Sequence, residues 1–232
     1  MALAGIGALS LRIVFLPLVF LVSQWGETKQ IGLSHYWGFT GPISFFLVLM
    51  FLDYSLYAWH WLNHKVPFLW RFHNVHHVDL DMDVSTASRF HFGELIISSL
   101  FRSGQVLLFG VSPQTLIVYE VLTTLSTQFH HSNIRLPMTF EKQLNKFFVT
   151  PRMHGIHHSI VREETDSNYS TIFSFWDRLH ASLKINVPQE EITIGVASYR
   201  DQKEITFLQS LLLPFKKQRA WKLPDGTVPK RE

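Results

Sequence analysis

Cysteine is absent from this sequence of 232 residues. Without thiols, the chain can form neither a disulfide framework nor a zinc or iron–sulfur site with cysteine ligands. Any bound metal must therefore be held by nitrogen and oxygen atoms. Charged residues are also scarce, at 17% of the chain, whereas hydrophobic residues make up 47%. This composition predicts one compact unit with long apolar segments.

The few charges are unevenly distributed along the chain. From Arg135 onward there are 15 basic and 11 acidic residues, which gives this part a net charge of about +4. We do not expect nucleic-acid binding, since no groove-reading motif accompanies the charge. Basic residues beside membrane spans typically mark the cytoplasmic face, where anionic lipids lie.

Two long apolar runs predict membrane-spanning helices. Residues 2–24 are long enough to cross about 30 Å of hydrocarbon as a helix. Arg12 interrupts this run and no basic segment precedes it, so we expect no cleaved signal peptide. A second run, residues 43–59, begins directly after Pro42, a residue favoured at helix starts.

Two shorter apolar segments, Leu95 to Phe109 and Leu116 to Phe129, are joined at Gly110 and Pro113. This pattern predicts a helical hairpin that either crosses the membrane or is re-entrant. The fold class is therefore all-α, an integral membrane helical bundle of about four transmembrane or re-entrant helices.

We expect a single domain over residues 1–232, with its core at about 43–184. The positive-inside rule places the histidine-rich segments in a cytoplasmic helical cap, because the loop after the first span carries only Lys29. The basic C-terminal tail, about residues 205–232, falls on the same side. Its apolar start, residues 205–215, is expected to lie on the membrane surface.

Histidines follow a repeated spacing. The motif His-x-x-His-His occurs twice, and a His-x-x-x-His pair precedes its first copy. Because positions i, i+3 and i+4 share one face of a helix, each motif projects its imidazoles in one direction. The eight candidate metal ligands in these motifs are His60, His64, His73, His76, His77, His154, His157 and His158.

Eight imidazoles are too many for one structural zinc ion, whose site closes at four ligands, so two metal ions fit better. Imidazole suits zinc, copper, iron and nickel alike. A zinc hydrolase would carry a glutamate within its His-Glu-x-x-His motif, which these spacers lack. A bis-histidine haem would need histidines half a membrane apart. We therefore predict a non-haem diiron centre at the membrane boundary, reached by O2 and electrons from the cytoplasm and by a lipid from the bilayer.

A membrane metal-handling protein is the alternative, with histidines that line a zinc or copper path. It predicts exchangeable ions and ligands distributed across the bilayer, whereas the predicted topology gathers the histidines on one side. A purely structural membrane protein would not explain the duplicated spacing.

Acidic residues are expected near the metals, because neutral imidazoles would leave about +4 on two ferrous ions. Asp53 shares a helical face with His60 and His64 inside an apolar span, where an acid is costly. It either faces the metals or pairs with Arg102, which also lies in an apolar segment. The full set of candidates, of which Asp177 is expected to be a structural hydrogen-bonding residue, is Asp53, Asp79, Asp81, Asp83, Glu94, Glu164, Asp166 and Asp177.

The order of these motifs resembles that of the fatty acid hydroxylase/sterol desaturase superfamily, integral membrane diiron enzymes, and especially its short bacterial members. The similarity covers about Leu52 to Leu183. Besides the histidine motifs, it includes Ser85-Thr-Ala-Ser-Arg-Phe-His91, Phe129-His-His-Ser-Asn133, Glu164-Thr-Asp-Ser-Asn-Tyr169 and Trp176-Asp-Arg-Leu179.

This resemblance implies two further ligands. His131 is similar to the ligand between the second and third histidine boxes, and His91 to the histidine of a His-Pro-x-x-Glu motif in which Phe92 replaces proline. We expect the adjacent His130 beside the metals rather than on them, because neighbouring helical residues cannot face one ion equally. The remaining histidines, expected to be ordinary polar residues, are His35 and His180.

The resemblance also implies O2-dependent hydroxylation or desaturation of a membrane lipid such as a fatty acyl chain or sterol, with two iron ions as cofactor. Carotenoid hydroxylases, ether-lipid monooxygenases and aldehyde-forming enzymes share the superfamily, which leaves the product open. Since the sequence carries no dinucleotide-binding or haem-binding motif, the reductant is expected to be a partner, such as a cytochrome b5-like protein, a ferredoxin or a reductase. The expected location is a bacterial inner membrane, or the endoplasmic reticulum in a eukaryote.

Overall fold

A computed structural model describes residues 2–231 and shows an all-α chain. Within these residues, β-structure is limited to two isolated bridges, between Phe148 and Phe173 and between Ser159 and Ile194. Short 3₁₀ turns lie at Thr86–Ser88, Gln189–Glu191, Gln202–Glu204 and Leu213–Phe215. The α-helices are α1 (Ala2–Ser10), α2 (Leu16–Thr28), α3 (Leu33–Tyr36), α4 (Gly41–Lys65), α5 (Pro67–His77), α6 (Phe92–Phe109), α7 (Pro113–His130), α8 (Met138–Leu144), α9 (Pro151–His157), α10 (Arg162–Thr165), α11 (Phe175–Leu179) and α12 (Phe207–Leu212).

The first two helices form one continuous rod, because a π-helical segment, Leu11–Phe15, joins α1 to α2. Pro17 follows this segment and has no N–H to donate, and a wider π turn accommodates the missing hydrogen bond. The rod continues to Thr28, beyond the predicted end of the first span at residue 24.

Within residues 2–231, three segments are long and apolar enough to cross a membrane: Ala2–Tyr36, Gly41–Lys65 and Phe92–Phe109. Helix α7 has 18 residues, as α6 does, and packs against α2 and α4. Contacts at the two ends of the rod fix its direction. Leu3 packs with Val75 at the histidine end, whereas Ser23 Oγ donates a hydrogen bond to the Val111 carbonyl (2.6 Å) at the other end.

The predicted hairpin of α6 and α7 is confirmed, and local chemistry explains its turn. Gly110 ends α6 with a φ of +68°, a conformation that side chains with a Cβ disfavour. Ser112 then caps α7 by accepting the Thr115 N–H (3.2 Å), and Pro113 occupies the first helical position. The turn is held against α3, where Ser34 Oγ donates to the Gly110 carbonyl (2.7 Å).

Large apolar side chains cover the outside of the long helices. Leu21, Phe46, Leu100 and Leu125 are each exposed over more than half of their surface. An apolar exterior of this extent is typical of a surface that faces lipid rather than water. The interior of the bundle is also apolar, and its buried cluster consists of Val19, Val48, Leu49, Leu52, Val106, Val111, Leu116, Tyr119 and Ile172.

The shorter helices and the C-terminal tail form a cap over one end of the bundle. A second buried cluster joins Leu3, at the start of the rod, to Val75 on α5 and to Leu213 in the tail. Trp221 Nε1 donates to the Ile160 carbonyl (2.6 Å), which fastens the tail to the cap. The histidine motifs lie where this cap meets the ends of the long helices.

Candidate metal centre

Four helix ends meet beneath the cap, those of α4, α5, α7 and α9, and each carries histidines. Helix α9 starts with Thr150, whose Oγ1 accepts the Met153 N–H (3.3 Å), followed by Pro151 at its first position. This start directs its histidines toward the bundle. The arrangement brings together nine of the ten predicted ligands, all buried except the half-buried His60: His60, His64, His73, His76, His77, His131, His154, His157 and His158.

The structure divides these nine histidines into two groups that could each hold a metal ion. Within each group, one ring nitrogen of every member lies within 4.8 Å of the others. Both motif copies contribute to both groups, so each group combines distant parts of the chain. The five-membered group, called group one here, consists of His60, His64, His73, His77 and His157, and group two consists of His76, His131, His154 and His158.

The nitrogen spacing within the groups fits bound cations. In group two, His131 Nε2 lies 3.2 Å from His76 Nε2 and 3.1 Å from His154 Nε2, which is also 3.1 Å from His158 Nε2. Two nitrogens bound to one ion at about 2.1 Å and about 90–109° would be about 3.0–3.4 Å apart. Unprotonated nitrogens at this distance repel each other unless a proton or a cation lies between them, so the donor set suits a metal.

Group one shows the same property. His73 Nε2 and His77 Nε2 are 3.3 Å apart. Among residues 2–231, His157 Nε2 and both ring nitrogens of His64 have no hydrogen-bond partner, although they are buried. Since buried polar atoms are normally paired, these nitrogens fit the role of metal ligands.

Four of the nine rings are fixed in orientation by an oxygen atom that accepts their Nδ1–H. A carbonyl or carboxylate oxygen accepts but does not donate here, so the proton lies on Nδ1 and leaves Nε2 as the donor atom for a metal. The pairs are His60 with the Tyr169 carbonyl (2.8 Å), His73 with Glu94 Oε1 (2.7 Å), His131 with the Thr127 carbonyl (2.8 Å) and His157 with the Ser167 carbonyl (2.6 Å).

Burial disfavours the charged form of six imidazoles in the two groups. Desolvation of the charged form lowers the pKa of His131 to about 4. Desolvation, together with repulsion between neighbouring imidazolium charges, holds the pKa well below its ordinary value at His76, His77, His154, His157 and His158. At neutral pH these rings therefore keep a lone pair that can bind a cation.

Two of the candidate acids lie beside group one. Glu94 accepts the His73 hydrogen bond, and Asp166 Oδ1 lies 3.7 Å from His64 Nδ1. Asp177 has the structural role that its sequence context predicts. Its carboxylate accepts the backbone N–H groups of Tyr169 and Ser170 (both 2.9 Å), which holds the loop whose carbonyl orients His60.

Asp53 joins neither histidine group, and its carboxylate accepts hydrogen bonds from partners other than Arg102. Its Oδ2 accepts hydrogen bonds from Trp176 Nε1 (2.8 Å) and the Phe173 N–H (3.2 Å), while Arg102 pairs with Glu120 (3.5 Å). Asp53 therefore ties α4 to the segment around α11. The helical spacing correctly predicted that Asp53 faces the interior of the bundle. The sequence did not reveal that Trp176, from the cap, reaches the same face.

His91, which the family resemblance suggested as a ligand, lies outside both groups. It caps α6 instead: Nδ1 accepts the Gly93 N–H (3.0 Å), and Nε2–H donates to the Leu211 carbonyl (3.2 Å). His130 also lies outside the groups, with its ring centroid 4.0 Å from that of His154. The other two histidines are distant from the site, His35 near Glu27 (3.4 Å) and His180 stacked on Tyr57 (5.0 Å).

A cavity of about 240 Å³ extends from the histidines into the bundle. Its wall at one end includes His60 and His76, and much of its length is apolar, with Leu56 and Leu95 as examples. Such a shape suits a molecule with an apolar chain whose end approaches the histidine groups. The sequence predicted lipid access but not the residues that form the cavity, since they come from the rod, from helices α4, α5, α6, α7 and α9, and from two loops.

Comparison with known proteins identifies the family. The fatty acid hydroxylase family matches residues 45–182, more than half of the chain. The chain belongs to the fatty acid hydroxylase family. The matched region contains every histidine of both groups. No solved structure matches this fatty acid hydroxylase family member significantly.

Curated relatives of this family member act on several lipids, according to their names. An ornithine lipid hydroxylase of Rhizobium tropici is 29% identical over 80% of this chain and 55% of its own length. Cholesterol 25-hydroxylase of Rattus norvegicus is 26% identical over 68% of this chain and 52% of its own length. Human alkylglycerol monooxygenase is 26% identical over 67% of this chain and 33% of its own length. The chain thus spans about half or less of the length of these relatives.

Proposed function

We propose that this family member is an O2-dependent lipid hydroxylase whose two histidine groups hold two iron ions. The observation that carries the proposal is the place where the groups meet. Nine imidazoles converge beneath the cap, and five of them line an apolar cavity among the long helices: His60, His73, His76, His131 and His154. The names of the relatives, which are lipid hydroxylases and monooxygenases, support the same reaction class.

Bound iron would supply the O2 chemistry that oxidises a carbon–hydrogen bond. The chain provides the surroundings for it. Apolar walls such as Leu56, Leu95 and Phe90 keep water away from the histidines and guide an alkyl chain toward them. Glu94 and Asp166 place negative charge beside group one and so offset part of the positive charge of a metal.

We favour hydroxylation over metal transport because the nine histidines form two adjacent groups, whereas a transport path needs ligands along the membrane helices. Desaturation would use the same ligands and stays the related alternative. We further propose that α7 is a fourth membrane span, that the cap faces the cytoplasm, and that an external protein delivers electrons there.

Metal content and product analysis test this proposal. Protein purified without oxygen should contain about two iron ions per chain, and expression under isotopically labelled O2 should add one labelled oxygen atom to a membrane lipid. His158→Ala should lose both iron and product, since it removes a ligand from group two. His35→Ala is the matched control, because His35 lies outside both groups. Weakly held zinc together with an unchanged lipid profile would contradict the proposal.

A further inference from the structure

A polar cluster lies halfway along the membrane helices, away from the histidine groups. Arg102 on α6 pairs with Glu120 on α7 (Nε to Oε1, 3.5 Å), and its guanidinium lies 4.9 Å from the Tyr119 ring centroid. Gln105, one turn further along α6, donates a hydrogen bond to Ser55 on α4. Ionisable residues in membrane helices are rare, because charge in hydrocarbon is costly, and they typically mark a path for a substrate or an ion.

Several polar atoms of this cluster are not used in hydrogen bonds within the protein. Among the described residues, four of its buried atoms have no hydrogen-bond partner: Arg102 Nη1, Gln105 Oε1, Glu120 Oε1 and Thr123 Oγ1. Buried polar atoms inside proteins are almost always paired, and an unpaired one is destabilising in apolar surroundings. Glu120 Oε1 already lies 3.5 Å from Arg102 Nε. One free donor, Arg102 Nη1, beside the free acceptor Gln105 Oε1 and the Thr123 hydroxyl, which can donate or accept, therefore indicates a place for a small polar group.

The cluster and the histidine groups line one and the same cavity. Arg102, Gln105, Glu120 and Thr123 all belong to its wall, as do histidines of both groups. Arg102 lies eight residues after Glu94, the partner of His73, in the same helix. That separation is about 12 Å along the helix axis. The cavity thus has a polar place at about mid-membrane depth and the candidate metal centre at its other end.

Access to the polar place is available from the bilayer side. A groove of about 710 Å³ between the N-terminal rod and α7 shares four wall residues with the cavity, among them Glu120 and Thr124. Exposed apolar residues of α7, such as Val121 and Leu125, border this groove. A lipid can therefore approach the cluster sideways, without first crossing the cap.

We propose that Arg102, Glu120 and Gln105 bind a hydroxyl group at one end of the lipid substrate. This inference rests on the proposed function. A hydroxyl group accepts a hydrogen bond from Arg102 and donates one to Glu120 or Gln105, so it satisfies both kinds of free atom. A carboxylate would add negative charge beside Glu120 in the hydrocarbon, because the charges of Arg102 and Glu120 already offset each other. A methyl end would leave the polar atoms unpaired.

The proposal determines the orientation of the substrate. The hydroxyl end lies at mid-membrane depth, and the part of the molecule about 12 Å away lies at the histidine groups. Oxidation is therefore expected at a carbon remote from the hydroxyl group, not at its neighbour. Substrates of this class are single-chain or ring lipids with a hydroxyl group at one end.

Photo-crosslinking of the 232-residue chain in lipid nanodiscs tests the orientation. The probe is dodecanol, with a diazirine either next to the hydroxyl group or near the methyl end. The first form should label peptides from residues 98–124, and the second should label peptides that carry histidines of groups one and two. The reverse pattern would overturn the proposal. Crosslinking needs no turnover, so it tests the hydroxyl site separately from the proposed function. A protein that gives the expected labelling pattern but makes no hydroxylated lipid would refute the proposed function and leave the hydroxyl site supported.

Competition against the first probe tests the residues. Unlabelled dodecanol should compete at about tenfold lower concentration than dodecane or dodecanoate, as a hydrogen bond to a charged group predicts. The double variant Arg102→Met/Glu120→Met removes both charges together, so neither stays unpaired, and it should abolish this preference. Asp53→Asn is the control, because it alters a buried acid outside the cavity, and this variant should retain the preference for dodecanol. A preference that survives in the double variant would show that the cluster is structural only.

Discussion

At the residue scale, a histidine is a good ligand when its other ring nitrogen is occupied. His73 illustrates this, because its Nδ1–H donates to Glu94 and its Nε2 faces His77. His91 has a comparable degree of burial, yet a backbone N–H and a backbone carbonyl occupy its two nitrogens. The two residues therefore have different roles, although both are buried histidines near the same helix start.

This difference predicts opposite outcomes for two substitutions. His91→Asn should retain full iron content, because asparagine is also a favoured N-cap, and should lose about 1 kcal/mol of stability with the Leu211 hydrogen bond. His73→Gln should lose iron from group one. Mass spectrometry of the purified proteins measures the metal, and thermal unfolding in detergent measures the stability. Loss of iron in His91→Asn would instead make His91 a ligand, as the family resemblance implied.

Eight of the nine candidate ligands were proposed from helical spacing, which determines which side chains share a face, and His131 from the family resemblance. Their division into two groups was not predictable from sequence. It depends on which helix faces meet, and His157 on α9 joins His60 and His64 rather than its own neighbour His158. The carbonyl groups that orient the rings were also hidden, since a backbone acceptor carries no signature in the residue types around it.

At the scale of elements, the sequence predicted the helices from their apolar runs and the hairpin from its turn residues. It could not predict the π segment at Leu11–Phe15, since tertiary packing decides how a helix accommodates Pro17. Nor could it identify the partners of Asp53, which come from a short helix more than a hundred residues away.

The turn between α6 and α7 gives a prediction at this scale. Gly110→Ala should lower the midpoint of thermal unfolding, because a residue with a Cβ adopts the positive φ of this position at a cost of about 1–2 kcal/mol. The added Cβ would also contact Ser34 Oγ and lie 2.9 Å from His35 Cδ2. Gly104→Ala is the matched control on the same helix. Within the described residues, no atom lies within 4 Å of a Cβ at Gly104, and alanine favours helix by about 1 kcal/mol. Equal midpoints for the two variants would contradict this account of the turn.

At the scale of the whole molecule, both ends of the chain belong to the cap. Leu3 from the N-terminal rod and Leu213 from the tail pack in one cluster with Val75, and Arg231 Nε lies 2.8 Å from Glu164 Oε1. The sequence predicted from its basic charge that the C-terminal tail lies on the histidine side. It gave no sign that the tail packs onto the cap, because such long-range contacts follow no local periodicity. This arrangement requires an even number of membrane passes.

The absence of cysteine makes that requirement directly measurable. Single cysteines at three exposed positions, Tyr36→Cys, Gln114→Cys and Lys217→Cys, would report the end of α3, the start of α7 and the tail. With four spans and the cap in the cytoplasm, an impermeant maleimide should label the first two in intact cells and the third only after permeabilisation. Labelling of Gln114→Cys from the inside alone would make the α6–α7 hairpin re-entrant, because the turn would then not reach the outer face. Labelling of Lys217→Cys in intact cells would place the cap, and with it the histidines, on the outside.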